Sequence, residues 1–210
     1  MGRFLALLTV CGLLVACQNQ TNAVSSPVPS PTPHTEPTAA ILQSADVPAG
    51  LSVCLGSGPM DVYLSVLQNS DPALASVLSD QWLAMHQGGA TAGAISVFAA
   101  NVSACKSELG ATTSVKAITS FVAEFADTSQ ADRAWEAGVF GFAPPPSGEL
   151  SPGLTVGTNT GLGPSSFTYE RPSVRLACWR RSVYVAIVVV SNLDPNTFRA
   201  ATAAIDPRLN

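Results

Sequence analysis

Apolar residues in this chain form an unbroken run at the start, helical stripes through the first half, and alternating or continuous runs towards the end. Phe4 to Ala16, after Arg3, is a small-and-apolar run of about thirteen residues, too short to cross a hydrocarbon core of ~30 Å as a stable span. Further on, Gly58-Pro59 opens a helical pattern with Met60, Tyr63, Leu64 and Leu67 at i, i+3, i+4 and i+7. Asp71-Pro72 restarts the chain as an N-cap followed by an N1 proline. Leu74, Val77, Leu78, Trp82 and Met85 then form the next stripe, which Gly88-Gly89 stops. Ala94 to Ala99 reads as a strand, and Val102 to Leu109 as a short helix ended by Gly110.

From Val115 the period becomes two. Val115, Ala117, Phe121 and Phe125 share one face and Lys116, Ser120 and Glu124 the other, which predicts a half-buried strand. Asp127-Thr128-Ser129 caps a helix whose stripe is Ala131, Ala134, Trp135, Gly138 and Val139. A Pro/Gly-rich loop from Ala143 to Gly153 follows. Three β-type runs come next, Phe167 to Arg171, Val174 to Arg180 and Val183 to Val190, with a Pro172-Ser173 turn between the first two. The last run, VYVAIVVV, is apolar on both faces and predicts a central strand covered on both sides. Asp194-Pro195 starts a final helix with Phe198, Ala201 and Ile205 inward. The expected fold is a single α+β domain, a mainly antiparallel sheet with helices packed largely on one face.

Only 11% of the chain is charged, against ~25% in ordinary domains, and 47% is hydrophobic, which excludes charge-driven disorder for most of it. A net charge of -4 removes the electrostatic footprint of a general nucleic-acid binder. No internal repeat points to a solenoid. Residues 18–40 differ from the rest: Pro27, Pro29, Pro31, Pro33 and Pro37 stand among Ser, Thr and Gln, a composition that extends as polyproline at ~3.1 Å per residue and reaches up to ~70 Å. His34, inside this stretch, reads as solvated. The expected organisation is therefore a leader over 1–16, a tether over 17–40 and a folded body over 41–210.

The leader closes on Leu14-Val15-Ala16-Cys17, which resembles the signal sequences of bacterial lipoproteins. That resemblance implies that Cys17 becomes the first mature residue and carries a diacylglyceryl thioether with a further acyl chain. Two or three chains, at ~0.8 kcal/mol per buried CH₂, hold a protein firmly on a bilayer. The protein would then be anchored to a membrane from the extracytoplasmic side and not span it. Cys11 would leave with the leader. Gln18 in place of Asp points to the outer membrane in a cell that has two.

Three further cysteines, Cys54, Cys105 and Cys178, allow one bridge and leave one thiol. Outside the cytoplasm a bridge is the default. The body, with Trp135 on an Ala-rich helix, Gly161-Leu162-Gly163, Cys178-Trp179 in paired strands and the Asp194-Pro195 helix, resembles exported lipoprotein domains of unknown function, distantly like sensor and substrate-binding modules. The resemblance implies a Cys54–Cys105 pair, and it transfers no active site. Both of these cysteines fall at expected element ends, whereas Cys178 lies within a strand, where a packed thiol behaves as a small hydrophobe.

Candidate chemistry is sparse. Nucleophilic hydrolysis needs a base, and the body offers only His86, within a helical stripe. Gly56-Ser57-Gly58 lacks the nucleophile-elbow spacing and reads as a turn. Gly157 to Gly163 lacks the phosphate-cradle pattern and reads as a loop before a strand. Glu124 with Asp127, and Asp132 with Glu136, fall on expected solvent faces. No metal or cofactor is assigned.

One asymmetry stands out. Residues 41–170 carry three basic and eleven acidic side chains, whereas residues 171–210 carry six arginines and two acids. Arg175 and Arg181 share strand parity with Trp179, which suggests a guanidinium-and-indole face for an anionic or aromatic ligand. The competing expectation is that the arginines pair with Glu149, Glu170 and the acidic first part of the chain.

These features are expected to make a noncatalytic, membrane-anchored binding or sensor-like module whose ligand, a small molecule, an envelope polymer or another protein, stays open. An envelope hydrolase or transferase using carboxylates near the 143–163 loop, and a surface spacer, are the alternatives. Labelled palmitate is expected to enter the wild-type chain but not Cys17→Ser, and the variant is expected to leave the membrane fraction. An unlabelled wild type, or a Cys17→Ser chain that still sediments with membranes, refutes the anchor.

Overall fold

The computed structural model describes residues 34–101, 105, 114–146, 148 and 151–210. The predicted leader, Cys17, most of the predicted tether and the helix expected over 102–109 lie outside the described residues, Cys105 excepted. In chain order the elements are α1 (Pro37–Ala40), β1 (Ser52–Val53), β2 (Gly58–Pro59), α2 (Met60–Ser70), α3 (Pro72–Gln87), β3 (Ala90–Ala99), β4 (Ala117–Phe125) and α4 (Thr128–Ala137). They continue with β5 (Leu154–Val156), β6 (Ser166–Glu170), β7 (Val174–Arg181), β8 (Tyr184–Ser191) and α5 (Pro195–Ile205). Short 3-10 turns occupy Ser44–Asp46, Gly157–Thr160 and Asp206–Arg208. No helix among the described residues is long and apolar enough to cross a membrane.

The strands form one antiparallel sheet in the order β1-β3-β4-β8-β7-β6-β5, with β2 also pairing on β3. Together with the helices this is an α+β fold. The VYVAIVVV run supplies β8, and every residue of that strand is buried. A tight turn joins β7 to it, with Ser182 at φ 52° supplying the left-handed residue that such hairpins need. Asp71, Asp127 and Asp194 each accept a backbone N–H two or three residues on, so the predicted caps start α3, α4 and α5.

Side-chain alternation sends Ile95, Phe121, Phe125, Ile187 and Cys178 to one face, where Met60, Tyr63, Leu67, Leu78, Trp82 and Trp135 of α2, α3 and α4 cover them. The close fit of α3 on β3 depends on Gly93, since a Cβ there would lie 2.4 Å from the Trp82 ring. Within the α3 stripe the inward position expected for Val77 is taken by Ala75, and Val77 is exposed.

The other face is also covered, by α5 and by residues 34–47. Phe98, Ile118, Trp179, Val188 and Val190 pack against Ala40, Ile41, Leu42, Phe198, Ile205 and Leu209. This corrects two expectations. β4 is not half-buried, because Ser120, expected in solvent, is fully buried, shares a hydrogen bond of 2.8 Å with Ser96 and accepts one from Leu42 N. The folded body also begins before Ile41. His34 lies 3.4 Å from Glu124, and Thr35 O accepts a hydrogen bond from the Tyr184 hydroxyl. Alanines and a proline that read as tether are small enough to lie flat on a sheet, and local composition does not reveal that partner.

The N-terminal strap is pinned to the C-terminus. Arg208 donates from both terminal nitrogens to the Asp46 carboxylate at 2.8 and 2.9 Å and reaches Ile41 O at 3.1 Å. Burial acts to raise the Asp46 pKa, but the Arg208 hydrogen bonds, the Gln43 N–H and the guanidinium charge together hold it below its ordinary value of 3.8. A carboxyl lowered in the folded state stabilises above its unfolded pKa, and that contribution is lost as pH falls through the folded one. Asp46→Asn is therefore expected to destabilise the domain by about 2 kcal/mol at neutral pH, measured by denaturant unfolding. The gap to wild type should narrow once the pH falls below 3.8.

Candidate functional site

The arginines expected to offer a ligand face bind the protein itself. Strand parity does place Arg175, Trp179 and Arg181 together on the strap side of β7, but Trp179 has no exposed surface. Its Nε1 donates to Asp206 Oδ1 at 3.1 Å, and Arg181 Nη2 donates to Oδ2 of the same carboxylate at 2.8 Å. Arg175 lies 3.4 Å from Glu170 and donates to Leu193 O at 3.1 Å. On the opposite face Arg180 meets Asp132 of α4 at 2.6 Å. Arg180 and Arg181 tie β7 to α4 and the C-terminal turn that cover it, and Arg175 pairs within the sheet with Glu170, as the competing expectation held for that residue. Glu149 lies outside the described residues.

The catalytic candidates are likewise dispersed. His86 Nδ1 lies 2.8 Å from Ala90 O, and its ring stands edge-on to Trp82, so it closes the end of α3. Ser57 accepts from Val97 N and donates to Val97 O, which fastens its turn to β3. The Gly157–Gly163 loop is stitched internally, with Ser166 Oγ donating to the Gly163 and Gly157 carbonyls. Glu149 is the only carboxylate in the 143–163 stretch. Asp132, from one of the acid pairs weighed in the sequence, is held by Arg180. Burial pushes Glu124 up against the opposing pull of His34. Among the described residues no three His, Cys, Asp or Glu side chains converge on a metal-sized site.

What the fold does assemble is an apolar hollow beside the disulfide. Cys54 and Cys105 are bonded, with Cα atoms 5.6 Å apart across 51 residues, and Cys178 is the buried free cysteine. Burial pushes the Cys178 thiol up, so it stays protonated and inert. By loop-closure entropy the crosslink contributes about 4 kcal/mol. It ties the β1–β2 connection to Cys105, and beside it lies a hollow of about 560 Å³. Val53, Leu55, Val66 and Leu67 line it along with the disulfide, and Ser57 and Ser70 add hydroxyls. This volume lies within the ~300–1,000 Å³ of small-molecule sites.

Two features of this hollow are out of keeping with ordinary packing. Leu55 is 83% exposed and Val53 56%, so the rim presents apolar surface to water. The wall includes Tyr63, only 3% exposed, whose hydroxyl is buried without a hydrogen-bond partner among the described residues. Burial also raises its pKa, so it remains a neutral hydroxyl. Sequence reading placed Tyr63 in the core stripe of α2 and passed over Val53 and Leu55. The available signal was a half-cystine flanked by apolar residues in a glycine-bounded turn, where such residues lack a core to join.

No family model, curated protein or solved structure matches this chain. Its chemistry therefore rests on its own residues. An unpaired buried hydroxyl is a liability of ~1–3 kcal/mol that phenylalanine lacks. Tyr63→Phe is accordingly expected to raise the stability of the ligand-free protein by about 1 kcal/mol, read as a higher denaturant midpoint at unchanged slope.

Proposed function

We propose that this chain is a lipid-tethered, extracytoplasmic binding module that holds an apolar small molecule without transforming it. The observation that carries the reading is the hollow beside the disulfide, in which exposed Leu55 and Val53 rim a cavity walled by Tyr63. An apolar ligand gains by leaving water for such a surface, at ~25 cal/mol per Å² of area covered. A Cys54–Cys105 crosslink suits an oxidising compartment, which agrees with the leader and with the lipidation expected at Cys17. A chain held at a membrane surface also meets apolar compounds where they are concentrated.

Native mass spectrometry of the full chain extracted from its own envelope tests this. The protein is expected to retain a small apolar compound and to bind N-phenyl-1-naphthylamine with a saturable rise in fluorescence. Leu55→Asp, a surface change that leaves the fold intact, should weaken the probe at least about tenfold, the effect of losing roughly 1.4 kcal/mol. A wild-type chain that emerges empty and gives no saturable signal overturns the reading, as does turnover of the retained compound.

A further inference from the structure

A second hollow, of about 540 Å³, opens between the C-terminal half of α3 and α4 and shares no lining residue with the first. We infer that it binds an amphipathic carboxylate, with the apolar body on Met85 and Phe140 and the head group on Arg133.

The apolar part is built in advance. Phe140 is 9% exposed, and its ring meets Phe121 of the sheet edge-on at 4.6 Å. Its φ of 50° is one that a residue with a side chain keeps only where its surroundings hold it. They do so here through a tight Val139–Phe142 bridge that follows Gly138, whose φ is 87° and where a Cβ would come within 2.8 Å of Ala143. Ala84, Ala134 and Ala137 make low walls that leave the space open, and Met85 adds an adaptable side chain. A preformed surface of this kind binds without first ordering a loop.

The polar part is one cation. Residues 41–170 hold three basic side chains among eleven acidic ones, yet Arg133 forms no ion pair among the described residues. The adjacent carboxylate, Asp132, is drawn to Arg180 on β7. Arg133 spends one donor on Ser129 Oγ at 2.7 Å, within its own helix, and the rest of its planar fork is left for a partner. Across the hollow, Gln81 of α3 adds an amide. One guanidinium beside one amide suits a monoanion, and a carboxylate matches the fork with two parallel hydrogen bonds.

The test is calorimetric titration of the full chain with decanoate and with decanol, which differ only in the head group, both below their aggregation limits. Expected is saturable binding with decanoate favoured roughly two- to fivefold, the range of an exposed ion pair. Arg133→Gln should erase that preference while leaving decanol unchanged, and Arg133→Lys should restore part of it. In Leu55→Asp, where the first hollow no longer takes an apolar ligand, decanoate should still bind with the same preference, and adding Ala84→Trp should block both ligands. Circular dichroism checks that each variant is folded. Equal affinities in the wild type, a preference that survives Arg133→Gln, or no saturable binding overturns the inference. Loss of decanoate in Leu55→Asp also overturns it, by moving the ligand to the other hollow.

Discussion

A sheet whose middle strands have no solvent side must be covered twice, and this constraint organises the protein. Every residue of β8 is buried, and β4 beside it carries a fully buried serine on the face that alternation alone would give to water. Three helices cover one face. The other is covered by α5 and the chain segment from residue 34 onward, in which Ala40, Ile41 and Leu42 are buried. Polar pins add to this packing: Leu42 N on Ser120, the Tyr184 hydroxyl on Thr35 O, and the two-pronged Arg208–Asp46 contact. The first is buried and the other two are partly buried, the last being charge-assisted on both sides.

The same demand explains the basic C-terminal region. A cluster of arginines after residue 170 invites an anionic partner outside the protein, yet Arg181 and Trp179 converge on one Asp206 carboxylate, Arg180 reaches Asp132, and Arg208 reaches Asp46. Arg180 and Arg208 thus offset acids of the first part of the chain, whereas Asp206 belongs to the basic stretch itself. Arg133, on α4, has no ion-pair partner among the described residues and makes one hydrogen bond within its own helix.

Covering the helical face leaves gaps. Different devices stand beside the helices there: the Cys54–Cys105 disulfide near α2, the Trp82–Gly93 contact under α3 and the Phe140 turn after α4. Rigid supports on either side of a gap keep it open where a looser layer would collapse into it. Both hollows have an apolar wall, but one is rimmed by exposed Leu55 and Val53 and the other carries an exposed cation, so the two sites differ in chemistry.

Local rules made much of this legible in advance. The Asp-Pro pairs announce α3 and α5, because an aspartate side chain caps the first turn and proline needs no donor there. The uninterrupted apolar run of β8 predicts cover on both sides. The strap was not legible, because Pro37, Ala39 and Ala40 look the same whether they float in a linker or lie on a sheet. Nor was the burial of Trp179, since parity shows which residues share a face but not what lies over it.

The sequence by itself therefore determined α2 to α5 and the strands β3, β4, β6, β7 and β8, their order and their parity, but not α1, β1, β2 or β5, because only the longer elements carry a pattern set by residues a few positions apart. Only the tertiary structure decided which faces are closed, which charges are cancelled and where the layer stays open. Those outcomes depend on contacts between residues as far apart as the 149 positions separating Tyr184 from Thr35 and the 162 separating Arg208 from Asp46. No local pattern carries information over that separation, because those partners meet only once the sheet between them has formed.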